Sequence, residues 1–277
     1  MAKNSVYPFY KMSGGGNDFV LFDNRQKTLP ADYSELAKKV CLRKFSIGAD
    51  GLLVLEEDPS ADFRMVYFNA DGSRAEMCGN GARCIARFAQ LIKAASSKMK
   101  FQTDAGPVTA EVQESTVRVN IGPPKGLRLD FSLKMEEQKE LNASFINTGV
   151  PHTVVLVTDL EKISVPDLGR KIRNLKEFAP EGTNADFVQL VDETHLIVRT
   201  YERGVEAETL ACGTGVMASA IVCGAKKLVT SPVDCLTRGG ETLRVYFRID
   251  EAGQRRTIND VGMEGPATVS FHGEVSL

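Results

Sequence analysis

The chain has 277 residues, is 43% hydrophobic and 25% charged, and carries a formal net charge of −2. That length supports one large core or two ordinary ones, and a charge near zero excludes the basic footprint of a nucleic-acid binder. The opening residues lack the apolar stretch of a signal peptide. No run reaches the roughly 20 apolar residues of a membrane helix, so a cytoplasmic protein is expected.

In chain order, residues 19–22, 51–55 and 63–68 read as strands. Between the first two, residues 32–42 read as a helix with Leu36 and Val40 on one face. A Cys78-Gly79-Asn80-Gly81 turn then opens a helix running to Ile92, with apolar residues at the helical period and Arg83 and Arg87 on another side. Strands at 108–112 and 117–121 follow, and Gly122-Pro123-Pro124-Lys125-Gly126 makes a natural break. Beyond it come strands at 154–157, 187–191 and 194–201. A helix spans 166–175, and Pro166 suits its first turn. Cys212-Gly213-Thr214-Gly215 opens a segment, residues 216–223, that is apolar nearly all round and so belongs inside a core. Strands at 243–249, 256–259 and 267–271 end the chain, the last crossing back to finish the first domain.

The chain also repeats itself once. Gly16-Asn17-Asp18-Phe19 answers to Gly149-Val150-Pro151-His152, Ala49-Asp50-Gly51 to Ala185-Asp186-Phe187, and Cys78-Gly79-Asn80-Gly81 to Cys212-Gly213-Thr214-Gly215. The separations are 133, 136 and 134 residues. Three matches in one order argue for duplicated halves. The expected fold is α+β: two pseudo-symmetric domains, each a curled, mostly antiparallel, barrel-like β-sheet around a central helix, with the active site in the interdomain cleft. The expected domains are residues 1–123 completed by 264–277, and 124–263.

Of the six cysteines, Cys84 and Cys223 lie within helices and Cys41 and Cys235 carry no motif. These four read as small buried hydrophobes. Cys78 and Cys212 differ. Each precedes a helix whose first amides have no internal partner and point outward with the positive end of the dipole. Such a terminus cradles a carboxylate, and the same field favours a thiolate. Two such turns facing one substrate would place its α-carbon between two thiols. One thiolate would remove the α-proton and the opposite thiol would deliver a proton to the other face. That inverts the centre without a cofactor. No paired CxxC occurs and His152, His195 and His272 have no ligand spacing, so no metal is expected either.

Taken together, the motifs resemble those of the diaminopimelate epimerase family. They are Lys11 to Phe19 (KMSGGGNDF), Phe68 to Ser73 (FNADGS), Glu76 to Cys84 (EMCGNGARC), Asn147 to His152 (NTGVPH), Glu181 to Asn184 (EGTN), Tyr201 to Gly204 (YERG) and Glu208 to Gly215 (ETLACGTG). The resemblance implies an acid/base pair in Cys78 and Cys212 and an α-carboxylate cradle in Gly79, Asn80, Gly213 and Thr214. It implies substrate contacts from Asn17, Asn69, Asn184, Glu202 and Arg203, with His152 and Glu202 tuning thiol protonation. Gly51 and Val150 occupy substrate-binding positions where other members carry a glutamine and an asparagine. Ser13-Gly14-Gly15 replaces a more usual His-Gly-Leu. The resemblance further implies a small amino-acid substrate, no cofactor and a homodimer. Alternatives are a racemase of the same fold acting on histidine or hydroxyproline, and a non-catalytic amino-acid sensor. A cysteine hydrolase is disfavoured because it leaves the second cysteine without a role.

Overall fold

A computed structural model describes residues 5–135, 140–253 and 255–277. The chain divides into two compact units, one of Met1–Ile121 with Glu264–Leu277 and one of Gly122–Met263. The first contains β1 (Val6–Gly14), β2 (Asn17–Asp23), α1 (Tyr33–Val40), β3 (Gly51–Glu56), β4 (Phe63–Asn69), β5 (Arg74–Ala75), α2 (Gly79–Leu91), β6 (Lys98–Thr103), β7 (Gly106–Val112) and β8 (Thr116–Asn120). The second contains β9 (Lys125–Lys134), β10 (Glu140–Asn147), β11 (Pro151–Val157), α3 (Val165–Arg173), β12 (Asn184–Leu190), β13 (His195–Glu202), β14 (Ala207–Thr209), α4 (Gly213–Ala225), β15 (Val233–Thr237) and β16 (Thr242–Ala252). β17 (Arg255–Pro266) carries the chain out of the second unit, and β18 (Thr268–Ser276) pairs antiparallel with β1. No helix among the described residues is long and apolar enough to cross a membrane.

In the first unit β1 pairs with β2, β2 runs parallel to β3, and β3 pairs antiparallel with β4. β4 then runs parallel to β6, and β6, β7 and β8 form a meander. The second unit repeats this plan through β10, β11, β12, β13, β15 and β16. The central strands are apolar without a break because both faces are covered. Phe19, Leu21, Leu53 and Leu55 join Ala82, Ile85, Ala86 and Phe88 of α2 in one cluster. Val20, Phe22, Leu52 and Val54 join Leu36, Ala37 and Val40 of α1 in another. Asp32 caps α1 by accepting from the Glu35 amide, and Pro166 lies in the first turn of α3. α4 is buried on nearly every side, as its composition requires. Arg83 departs from expectation: it is completely buried rather than on an outer face of α2.

The registers revise the internal repeat. Phe19 pairs with Gly51 and His152 with Asn184. Leu53 pairs with Tyr67 and Asp186 with Thr200. Both pairings hold at a separation of 133 residues, so the structural counterpart of Asp186 is Leu53, not Asp50. The Ala-Asp match at 136 aligns identical letters but slips the register by three residues. An odd slip turns every side chain to the opposite face of the sheet. Lys125 and Gly126 begin β9 instead of belonging to the break before it.

Candidate active site

In the first unit Cys78 caps α2 with φ −140° and ψ 125°, and its Sγ accepts from the Gly81 amide at 3.5 Å. Its carbonyl accepts from Ala82 at 2.7 Å, which leaves the amides of Gly79 and Asn80 without an acceptor inside the helix. The Asn80 side chain is committed elsewhere. Its Nδ2 donates to Asn17 Oδ1 at 2.8 Å and to the Gly15 carbonyl at 3.2 Å, while its Oδ1 accepts from Arg83 Nη2 at 2.9 Å. Asn80 therefore offers a cradle its backbone rather than its carboxamide. Gly15 has φ +64°, and a Cβ there would stand 2.5 Å from Asn80 Oδ1 and 2.9 Å from Arg83 Nη2. Only glycine meets both demands.

Asn17 is held from behind as well. Its Nδ2 donates to Asp50 Oδ2 at 3.0 Å, and Arg43 bridges Asp50 and Asp18 at 2.8 and 2.6 Å. Lys11, 6% exposed, pairs with Asp18 at 2.7 Å. Burial pushes the Asp18 carboxyl up, but Arg43 and Lys11 outweigh it and hold it at about 2. A carboxyl whose folded value is depressed contributes stability above its unfolded value of about 3.9, lost as the pH falls toward the folded one. Acid titration of Arg43→Gln, followed by circular dichroism, is therefore expected to show unfolding at higher pH than wild type. Coincident acid transitions would show that the Asp18 cluster contributes nothing to acid resistance.

Gly51 and Asn69 are directly opposed in the β3–β4 ladder. Asn69 Oδ1 accepts from the Tyr67 hydroxyl at 2.8 Å, and its Nδ2 donates to Ser73 Oγ at 3.0 Å. The Tyr67 ring fills the space a side chain at 51 would need, since a Cβ on Gly51 would be 2.6 Å from Cε2.

In the second unit Cys212 caps α4, is 7% exposed, and places its Sγ 3.4 Å from Thr214 Oγ1. The Thr148 hydroxyl donates to the Thr214 carbonyl at 2.9 Å and pins the first turn. At Cys212 the surroundings oppose the field of the helix terminus. Burial, then the charges of Glu202 and Asp186, push the Cys212 thiol well up, and the Thr214 hydroxyl and Gly215 amide do not reverse it. Desolvation disfavours the charged form more than a helix terminus supports it. Burial likewise pushes Glu202 up.

His152 is fully buried with Nδ1 2.8 Å from Asp186 Oδ2. Asn184 is tied to backbone at both ends, donating to the Pro151 carbonyl at 3.0 Å and accepting from the Arg203 amide at 2.8 Å. Arg203, half-buried, donates from Nη1 to the Glu181 carbonyl at 3.3 Å. Val150 is half-buried and precedes Pro151 on the approach to β11. So Asn17 and Asn80 share one network at the helix start that Cys78 caps in the first unit, with Gly51 and Asn69 paired on neighbouring strands. In the second, Cys212, His152 and Glu202 belong to one cluster of titratable groups around Asp186. The contacts of Arg83, Thr148 and Asp186 at these helix starts are found only in the structure. The available signals were an arginine inside an apolar helix and an acid inside the apolar run of β12. Among the described residues no group of three His, Cys, Asp or Glu is arranged to hold a metal ion.

Two duplicated units, each with a cysteine at the start of its core helix, define the architecture. A solved structure of a probable proline racemase from Agrobacterium radiobacter K84 shares this fold with a TM-score of 0.71 at 14% identity, covering 98% of this chain and 93% of that one. The family model for diaminopimelate epimerase matches residues 9–127 and 144–265, and the chain belongs to that family. Diaminopimelate epimerase of Aquifex aeolicus (strain VF5) is 44% identical, covering 97% of each chain. That of Chlorobaculum tepidum is 39% identical over 96% of this chain and all of its own.

Proposed function

We propose that the chain is a diaminopimelate epimerase, an isomerase that interconverts LL- and meso-diaminopimelate by two-cysteine proton transfer without a cofactor, in lysine and cell-wall precursor biosynthesis. The observation that carries this is the cysteine N-cap opening the core helix of each unit, in a chain of that family. The substrate α-carboxylate is read as bound by the amides of Gly79, Asn80, Gly213 and Thr214. Charge that builds on it as the α-proton leaves is stabilised by those donors. Cys212, held as a thiol by burial and by Glu202 and Asp186, suits proton delivery, which makes Cys78 the base in that direction. Arg203 suits the distal carboxylate, and its guanidinium can bind one bidentately. Asn17, Asn69 and Asn184 line the remaining polar contacts.

A cytoplasmic location and a homodimer belong to the same reading. Phe271 on β18, 49% exposed, is where a dimer contact would be sought. The deciding experiment supplies LL-diaminopimelate in deuterated water, beside histidine and hydroxyproline, and follows α-deuterium incorporation. Incorporation into diaminopimelate alone, with formation of the meso isomer, is expected. Turnover of another amino acid with none of diaminopimelate would overturn the substrate.

A further inference from the structure

His152 and Asp186 have counterparts in the other unit that show what the fold itself asks of their positions. By strand register, His152, Asp186 and Thr200 correspond to Phe19, Leu53 and Tyr67. The first unit fills these places with packing. Phe19 and Leu53 are completely buried in its apolar cluster, and the Phe19 and Tyr67 rings meet edge to face at 6.0 Å. Leu53 lies against the first turn of α2, with Cδ2 3.4 Å from where a Cβ on Gly81 would stand.

The second unit puts a polar chain in the same places. Asp186 is completely buried, accepts from the Thr200 hydroxyl on Oδ1 at 2.7 Å, and meets His152 Nδ1 on Oδ2 at 2.8 Å. It crowds the first turn of α4 so closely that a Cβ on Gly215 would be 2.3 Å from Oδ1. An ionised carboxylate accepts only, so the proton of this hydrogen bond belongs to His152 Nδ1. In the neutral ring the tautomer is then set and Nε2 carries the lone pair. That atom is buried and has no hydrogen-bond partner among the described residues. Burying such groups costs free energy that an apolar pair avoids, and the first unit shows with Phe19 and Leu53 that this fold accepts one.

We propose that Asp186, supported by Thr200, is a positioning residue that fixes His152 as the Nδ1–H tautomer and keeps Nε2 as a buried proton acceptor in the polar chain that meets the first turn of α4. The proposal rests on the epimerase reading for its kinetic consequence but not for its structural one. Asp186 does not touch substrate; it acts through His152. Nothing in the duplicated fold calls for it, because its counterpart is a leucine.

Two measurements test this. The first is ¹⁵N NMR of histidine-labelled protein carrying His195→Gln and His272→Gln, which reports the His152 tautomer without substrate. The Nδ1–H form is expected with Asp186 present. In Asp186→Asn, where an amide donates and accepts with equal ease, a mixture is expected. The second is turnover. Asp186→Asn is expected to lower kcat about 100-fold, the lower range for acid–base catalysis, with KM changed far less. The double variant His152→Phe/Asp186→Leu copies the first unit and guards against misfolding. It is expected to melt at or above the wild-type temperature while losing turnover. A protonated Nε2 in the wild-type ring, or near-normal kcat in Asp186→Asn, would overturn the proposal. So would a double variant that unfolds, since the pair would then be structural. Should wild type fail to turn over diaminopimelate, the substrate reading falls while the tautomer result still stands or falls by itself.

Discussion

Replacing Cys78 by alanine, or Cys212 by alanine in a separate variant, is expected to slow epimerisation by about 10³-fold or more, within the range for loss of a positioned acid or base. In the proposed mechanism each thiol serves one face of the α-carbon, so neither can substitute for the other. Binding should survive in part, because the carboxylate is read as held by helix amides that alanine leaves in place. Serine variants separate chemistry from stability. Cys78 is an N-cap whose sulfur accepts weakly, at 3.5 Å from the Gly81 amide, and serine is among the preferred N-cap residues. Cys78→Ser should therefore melt no lower than wild type and yet be inactive, since a hydroxyl is far harder to ionise than a thiol. Deuterium exchange, calorimetric binding and thermal melting on the four variants decide the matter. An alanine variant within tenfold of the wild-type rate would end the two-base mechanism.

The motifs at the two helix starts were legible because glycine turns and cysteine caps are local features. Asp32 before α1 and Pro166 in α3 were legible for the same reason. The strands that went unread are of another kind. β9 is exposed along most of its length, and β10 and β15 mix polar and apolar residues. Their pairing comes from neighbours distant in sequence rather than from their own pattern. The surroundings of the Cys212 thiol are illegible in the sequence for a related reason. A helix terminus can be seen in the sequence, whereas burial beside Glu202 and Asp186 depends on how β12 and β13 pack onto α4. The role of Asp186 needed the register itself, because letter matching aligned it with Asp50, which faces the other way.

Arg83 is where the site and the core cannot be separated. It is fully buried in α2, and its guanidinium donates from Nη2 to Asn80 Oδ1 at 2.9 Å, from Nε to the Pro266 carbonyl at 3.3 Å, and from Nη1 to the Gly79 carbonyl at 3.5 Å. Asn80 in turn holds Asn17 and Gly15, so one side chain sets the geometry behind Cys78. Arg83→Leu keeps bulk but leaves buried acceptors unmatched. At about 1–3 kcal/mol for a buried polar group left without its partner, a loss of about 3 kcal/mol is expected. For a domain pair of this size that lowers the melting temperature by on the order of 10 °C. Arg83→Lys keeps the charge but not the planar fork, so it should recover only part of the loss. The site consequence is separate and measurable below the melting range. With Asn80 released, the amides proposed to hold the carboxylate lose their alignment and KM should rise in both variants. An Arg83→Leu protein that melts within 2 °C of wild type and binds substrate normally would show that the Asn80 network is held by something else.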